Sequence, residues 1–213
     1  VRDTALQANA RDLNYQKAFV NAIKTSKTTM NTQIPGQEGY KKGEIFDKMN
    51  QAFSVKERIV IEDLGDIDEA VIHLKNSIEC PGMLILQFAY NGDEHNSYLP
   101  QNHSENSLVY TGTHDNDTIQ GWWKKLKKRD RSHVLSQIEV DSKNVHWQMI
   151  EAAFASRAQT AIVPVQDFLG QGTRSRINTP GKRRGNWGYK LKENSLKASL
   201  ESKISNLLEK HSR

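Results

Sequence analysis

Two short apolar runs in this sequence each stop at a cluster of side chains able to move protons. Leu108-Val109-Tyr110 passes through Thr111-Gly112 into Thr113-His114-Asp115-Asn116-Asp117-Thr118. Earlier, Arg58-Ile59-Val60-Ile61 empties into Glu62-Asp63-Leu64-Gly65. A strand that delivers an imidazole and carboxylates from its C-terminal end is how α/β barrels build active sites. Two carboxyl groups brought in by separate strands suit glycosidic-bond chemistry, in which one of them protonates the leaving oxygen. Glu62 is the candidate acid/base, because partial burial at a strand end would raise its pKa and keep its proton near neutral pH. Each cluster also has a plainer reading. Asp63 and Asp66 suit the N-terminus of the helix that follows. Asp115, Asn116 and Asp117 are good turn residues before Thr118, and Asp117 is expected to be a helix cap.

The elements around these clusters alternate. Apolar spacing predicts helices over residues 44–53, 67–78, 118–128, 147–157 and 193–208, with a further helix over 134–140. Strands are expected at residues 58–61, 83–89, 108–111 and 161–165. The run 83–89 is continuously apolar, as in a parallel strand covered on both faces. Pro164 marks a strand end or irregularity, and residues 91–107 read as a long polar loop. Alternation of this kind implies a parallel sheet, and four strands make half of an eight-stranded barrel. The fold expected is therefore α/β, a partial (β/α)8 barrel comprising residues 36–213, preceded by a helical and loop segment, 1–35.

Bulk properties narrow the function. The chain has 213 residues, fewer than the roughly 250 of a complete (β/α)8 barrel. Mean hydropathy is −0.72 and the pI about 9.2. No run approaches the roughly 18 consecutive apolar residues of a membrane span, so no membrane partner is expected. The opening Val1-Arg2-Asp3-Thr4 has no signal-peptide character and lacks an initiator Met, as a fragment would. Cys80 is the sole cysteine, which fits a reducing, cytoplasmic location. The net charge of +5 is fed by residues 124–131 and by Lys182-Arg183-Arg184. Basic runs can bind phosphates, but no aromatic platform or zinc spacing accompanies these, so they read as solvated surface and no nucleic acid is expected. No second His or Cys with ligand spacing stands near His114, so no metal is expected.

Several words, in order, resemble the 4-α-glucanotransferases (amylomaltase, or disproportionating enzyme). They are Ile61-Glu62-Asp63-Leu64-Gly65, Pro81-Gly82-Met83-Leu84-Ile85-Leu86-Gln87-Phe88-Ala89, Tyr98-Leu99-Pro100, the stretch 110–118, Gln166-Asp167-Phe168-Leu169-Gly170, and Asn178-Thr179-Pro180-Gly181 with Gly185-Asn186-Trp187. The resemblance runs from about Gly43 to about Leu191 and covers only the C-terminal part of that family. It implies maltooligosaccharides and α-1,4-glucans as partners, no cofactor, and a retaining double displacement. Glu62 would be the acid/base. Asp115 would stabilise the oxocarbenium-like transition state, and His114 would hydrogen-bond the same sugar. Asn178, Asn186 and Trp187 fall where the family shapes its sugar subsites. Trp122 and Trp123 could stack on sugars, although core packing is the expected role of at least one.

The family's nucleophile is an Asp in an Ile-Asp-His-Phe-Arg-Gly-Phe word, which does not occur in these 213 residues. Gln101, Lys182 and Tyr189-Lys190 also depart from the family pattern, standing where His, Thr and Trp-Arg are usual. Two readings follow: the C-terminal part of a 4-α-glucanotransferase whose nucleophile lies on another segment, or a degenerate, non-catalytic sugar-binding remnant of that family. A half barrel would expose a strand edge and invite self-association.

Overall fold

The computed structural model describes residues 60–64, 72, 80–138 and 144–213. The segment 1–35 and the helix expected over 44–53 lie outside the described residues. Of the helix expected over 67–78, only Ile72 is described, and it is helical and exposed. The chain divides into two compact units between Gly82 and Met83.

Three strands form a parallel sheet in the order β1 (Gly82–Ile85), β2 (Ser107–Tyr110), β3 (Thr160–Ile162). Leu108, Val109 and Tyr110 pair with Thr160, Ala161 and Ile162. Of the strand expected at 58–61, Ile61 makes an isolated parallel bridge to Gly82, and its N–H donates to the Pro81 carbonyl at 3.0 Å. Among the three strands of the sheet, spatial order follows sequence order.

Two strand expectations need correction. The run 83–89 is not one strand. It leaves the sheet at Ile85 and tightens into a 3-10 turn, Leu86–Phe88. Apolar character alone cannot separate a buried strand from a buried turn. Here the turn packs Leu86 into the core while Gln87, also buried, reaches the loop after β2. The strand expected at 161–165 ends at Ile162, and Thr160 and Ile162 are exposed rather than buried. Pro164, which has no N–H for a ladder, instead precedes a one-turn helix, α4 (Val165–Phe168).

The helices between β2 and β3 are α1 (Ile119–Lys125), α2 (Lys128–Gln137) and α3 (Val145–Ala155). The helix expected over 118–128 stops at Lys125, and α2 begins earlier than the expected 134. Thr118, not Asp117, caps α1: its hydroxyl accepts from the Gly121 N–H at 3.1 Å, leaving the Asp117 carboxylate for contacts described below. The basic run 124–131 spans the end of α1 and the start of α2. Arg131 turns inward, with its guanidinium 5.3 Å from the Trp123 ring and donating to the Trp123 and Lys124 carbonyls. That folds part of the run into the helix junction.

Helix α3 is the hub of the core. Val145, Met149, Ile150, Ala153 and Phe154 are buried, a stripe at helical spacing. They meet Leu86, Val109, Ile119, Trp123 and Val134 in one cluster, with Trp122 partly buried against it. The last helix, α5 (Ala198–Lys210), buries none of its residues fully but lays Leu207 and Leu208 on this core. Its neighbours pin it to α3. Lys203 Nζ sits 3.8 Å from the Trp147 ring centroid, and Lys210 pairs with Glu151 at 2.5 Å. The Arg213 guanidinium donates to the Phe154, Ser156 and Ala158 carbonyls at 2.5–2.7 Å. A cation there satisfies carbonyls that the end of α3 leaves open.

Candidate active site

The loop from Thr111 to Thr118 is braced on three sides. Beneath it, the buried Asp167 of α4 accepts the Thr111 hydroxyl at 2.7 Å and the Ile119 N–H at 2.8 Å. One carboxylate thereby ties the end of β2 to the start of α1. Burial, with the neighbouring Asp117 charge adding to it, pushes the Asp167 carboxyl up to about 6 against the two hydrogen bonds that favour its ionised form. From the end of β1, Gln87 Nε2 donates to the Asp117 carbonyl at 2.7 Å. A Cβ at Gly112 would lie 2.6 Å from that same nitrogen, so a larger residue there would displace the Gln87 amide from this bond. On the third side, the Asp117 carboxylate accepts from Lys125 at 2.5 Å and from the Thr173 hydroxyl at 2.9 Å.

Within the loop, Asn116 Oδ1 accepts both the Thr113 N–H and the Thr113 hydroxyl at 2.8 Å. This local ring of bonds puts His114 and Asp115 at the tip, about half exposed. His114 Nε2 lies 3.3 Å from Asp115 Oδ1. Asn178 Nδ2 donates to the same oxygen at 2.5 Å, and the Asn178 N–H donates to the His114 carbonyl at 3.1 Å. Arg176 fastens both segments, with Nη2 donating to the Asp115 carbonyl and Nε to the Asn178 carbonyl at 2.6 Å. The Trp187 ring stands 5.2 Å from the His114 ring, tilted by 34°.

Four of the expected site residues, His114, Asp115, Asn178 and Trp187, therefore meet at one rim beyond the C-terminal end of β2. Asn186 has a supporting position there. Its Oδ1 accepts from the Thr179 N–H at 3.0 Å and its Nδ2 donates to the Lys182 carbonyl at 2.9 Å, closing the turn that presents Trp187. Glu62 follows the Ile61 bridge in the first unit and is exposed. The partial burial expected of it is not supplied by the described residues. Sequence reading named no role for Arg176, Thr173 or Asp167. Asp167 sat in a recognised word, but nothing local marks it as the clamp between β2 and α1.

The rim is open. The crevice beside it, lined in part by Thr113, Asp117 and Arg176, holds about 10 Å³. A cavity of about 740 Å³ lies elsewhere, between α3, α5 and Pro100, and includes none of the clustered residues. The clustered polar side chains converge at the rim and not at that cavity. A carboxylate oriented by an amide and an imidazole, beside an exposed indole face, can hold a polyhydroxylated ring. Hydroxyls meet the carboxylate and amide while the apolar C–H face lies on the aromatic plane. Among the described residues, no group of three or more His, Cys, Asp or Glu could hold a metal ion, and no helix is long and apolar enough to cross a membrane.

Residues 20–197 match the glycoside hydrolase 77 family, described as 4-alpha-glucanotransferase. The match begins ahead of Gly43, the expected start of the resemblance. The chain belongs to this family. It is 43% identical over 164 residues to the chloroplastic/amyloplastic 4-alpha-glucanotransferase DPE1 of Arabidopsis thaliana, covering 76% of this chain and 28% of that protein. It is 39% identical over 172 residues to the 4-alpha-glucanotransferase of Synechocystis, covering 80% and 34%. In structure it is similar to the amylomaltase from Streptococcus agalactiae in complex with acarbose. The TM-score is 0.75 at 26% identity, covering 85% of this chain and 36% of that one. The chain thus spans about a third of the length of these relatives.

Proposed function

We propose that this chain supplies the acid/base and the transition-state stabiliser of an α-1,4-glucan transferase, on the C-terminal half of a (β/α)8 barrel. The observation that carries the reading is the Asp115 carboxylate held by Asn178 beside His114 and Trp187 in a member of this family. In the proposed reaction Glu62 protonates the glycosidic oxygen while a carboxylate nucleophile attacks the anomeric carbon. The deprotonated Glu62 then takes the proton of an incoming sugar hydroxyl as it displaces the enzyme carboxylate. Asp115 hydrogen-bonds the ring hydroxyls most strongly when the sugar flattens towards the oxocarbenium ion. The nucleophile's family word is absent from the sequence. The same rim also fits a second reading, a sugar-binding remnant that holds glucan and does not turn it over.

Titration with maltoheptaose and acarbose, beside a maltotriose disproportionation assay, tests both. Binding together with glucose and longer maltooligosaccharides as products supports the transferase. Binding without turnover supports the remnant. Absence of binding by a folded chain sinks both.

Asp115→Ala is expected to weaken maltoheptaose binding at least tenfold, with stability within about 1 kcal/mol of wild type because the side chain is half exposed. Calorimetric titration and urea denaturation check the pair. Trp187 has φ of 60° and is 65% exposed, so its backbone sits where an L side chain is strained and glycine is not. Trp187→Gly should therefore hold or raise the melting temperature while lowering glucan affinity. A fall in both would show that the indole serves the fold.

A further inference from the structure

Residues 168–192 contain seven Lys and Arg and no Asp or Glu. This one stretch carries more positive charge than the whole chain's net +5. Arg176 is bonded into the site, as described above. The other six, Arg174, Lys182, Arg183, Arg184, Lys190 and Lys192, are exposed. Among the described residues, none of the six forms an ion pair with a carboxylate. Elsewhere among the described residues, Lys125 pairs with Asp117, Arg157 with Glu105 and Lys210 with Glu151.

Three of these cations are consecutive and their backbone is fixed. The Lys182 N–H donates to the Thr179 carbonyl at 3.1 Å, and Asn186 holds the Lys182 carbonyl. Gly181 and Gly185 bracket the turn at φ of 80° and 81°. The turn runs directly into Trp187, which is anchored by its N–H to the Ile177 carbonyl at 2.8 Å. At most roughly 11 Å of chain separates Arg184 from Trp187, within reach of a sugar ring next to one stacked there.

A neutral sugar gains little from a field of fixed cations. Like charges crowded into one turn repel each other unless an anion joins them. Guanidinium groups match the oxygens of a phosphate by paired, charge-assisted hydrogen bonds, and an ammonium adds a point charge. We propose that the Lys182-Arg183-Arg184 turn is a subsite for a phosphate monoester carried on the glucan, so that this chain selects phosphorylated α-glucans over neutral ones. The inference rests on the glucan reading of the rim and adds a charge preference to it.

The test is a set of titrations of the chain and of the triple variant Lys182→Ser, Arg183→Ser, Arg184→Ser. All three positions are exposed, and their substitution leaves the Asn186 backbone contacts in place. The probes are maltoheptaose, the same oligosaccharide bearing one 6-phosphate, inorganic phosphate, and a single-stranded RNA heptamer. At low salt the phosphorylated oligosaccharide is expected to bind at least tenfold more tightly than the neutral one. The advantage should vanish at about 0.5 M salt, where charge screening is nearly complete, and in the triple variant, with neutral binding unchanged. Equal affinity for the two oligosaccharides overturns the proposal. Inorganic phosphate binding as tightly as the phosphorylated sugar overturns it in favour of a free-anion site. RNA binding more tightly, with the same loss in the variant, overturns it in favour of nucleic acid. Failure of neutral maltoheptaose to bind, with the phosphorylated form still bound and lost in the variant, retains the phosphate subsite and strikes at the glucan rim instead.

Discussion

Glu62→Gln is expected to cut maltotriose disproportionation at least a thousandfold, in a preparation that carries out the reaction, without changing glucan affinity. Glutamine keeps the length and shape of the side chain but has no proton to deliver to the leaving oxygen. Loss of one member of a catalytic unit removes several orders of magnitude of rate. The structure makes the experiment clean. Glu62 is exposed just beyond the Ile61 bridge, and replacing an exposed side chain should alter stability by no more than about 0.5 kcal/mol. Chromatography of the oligosaccharide ladder, read beside thermal unfolding, decides it. A variant that keeps activity within tenfold of wild type would remove Glu62 from the acid/base role.

Asp167→Ala should be the most destabilising single substitution in the loop scaffold, at about 3 kcal/mol by urea denaturation. It strips the acceptor from the Thr111 hydroxyl and the Ile119 N–H. Leaving a buried donor unsatisfied costs roughly 1–3 kcal/mol. Because those two bonds frame residues 112–118, glucan binding should weaken as well. Asp167 also makes stability depend on pH in a defined direction. Its folded carboxyl titrates at about 6, above the ordinary 3.8, so between these values the folded chain holds the proton more tightly than the unfolded chain does. That contribution is fully present below about pH 4 and is lost as pH rises through about 6. The total is on the order of 3 kcal/mol as an upper bound. Asp167→Asn cannot titrate, so the stability of wild type relative to Asp167→Asn should fall across this window. A difference that stays flat from pH 4 to pH 7 would show that the carboxyl is not held in the protonated form by burial.

Much of the site was legible because its signals are local. A β-branched run, a Gly turn and a polar cluster lie within a dozen residues, and strand β2 with its His114-Asp115 tip formed where that pattern put it. The expectation for α1 was right in type and wrong in detail. Thr118 and Asp117 are both good caps, and only the packing of Thr173 and Lys125 against Asp117 decides between them. The run 83–89 was misread for a similar reason. Apolar sequence alone does not separate a strand from a turn, and here Leu86–Phe88 is a 3-10 turn from which Gln87 reaches a partner 30 positions away.

The sequence by itself determined the family, the strand that ends ahead of His114 and Asp115, and the helical stripe of α3, since each is written in residue types at short, fixed spacing. Tertiary structure alone decided that Asn178, Arg176 and Trp187 would close on His114 and Asp115, and that Asp167 would clamp the loop from below. Those contacts join positions 48–73 residues apart. A side chain's type fixes which bonds it can make, but the partner it meets at such a separation is set by how the sheet and helices pack around their shared core.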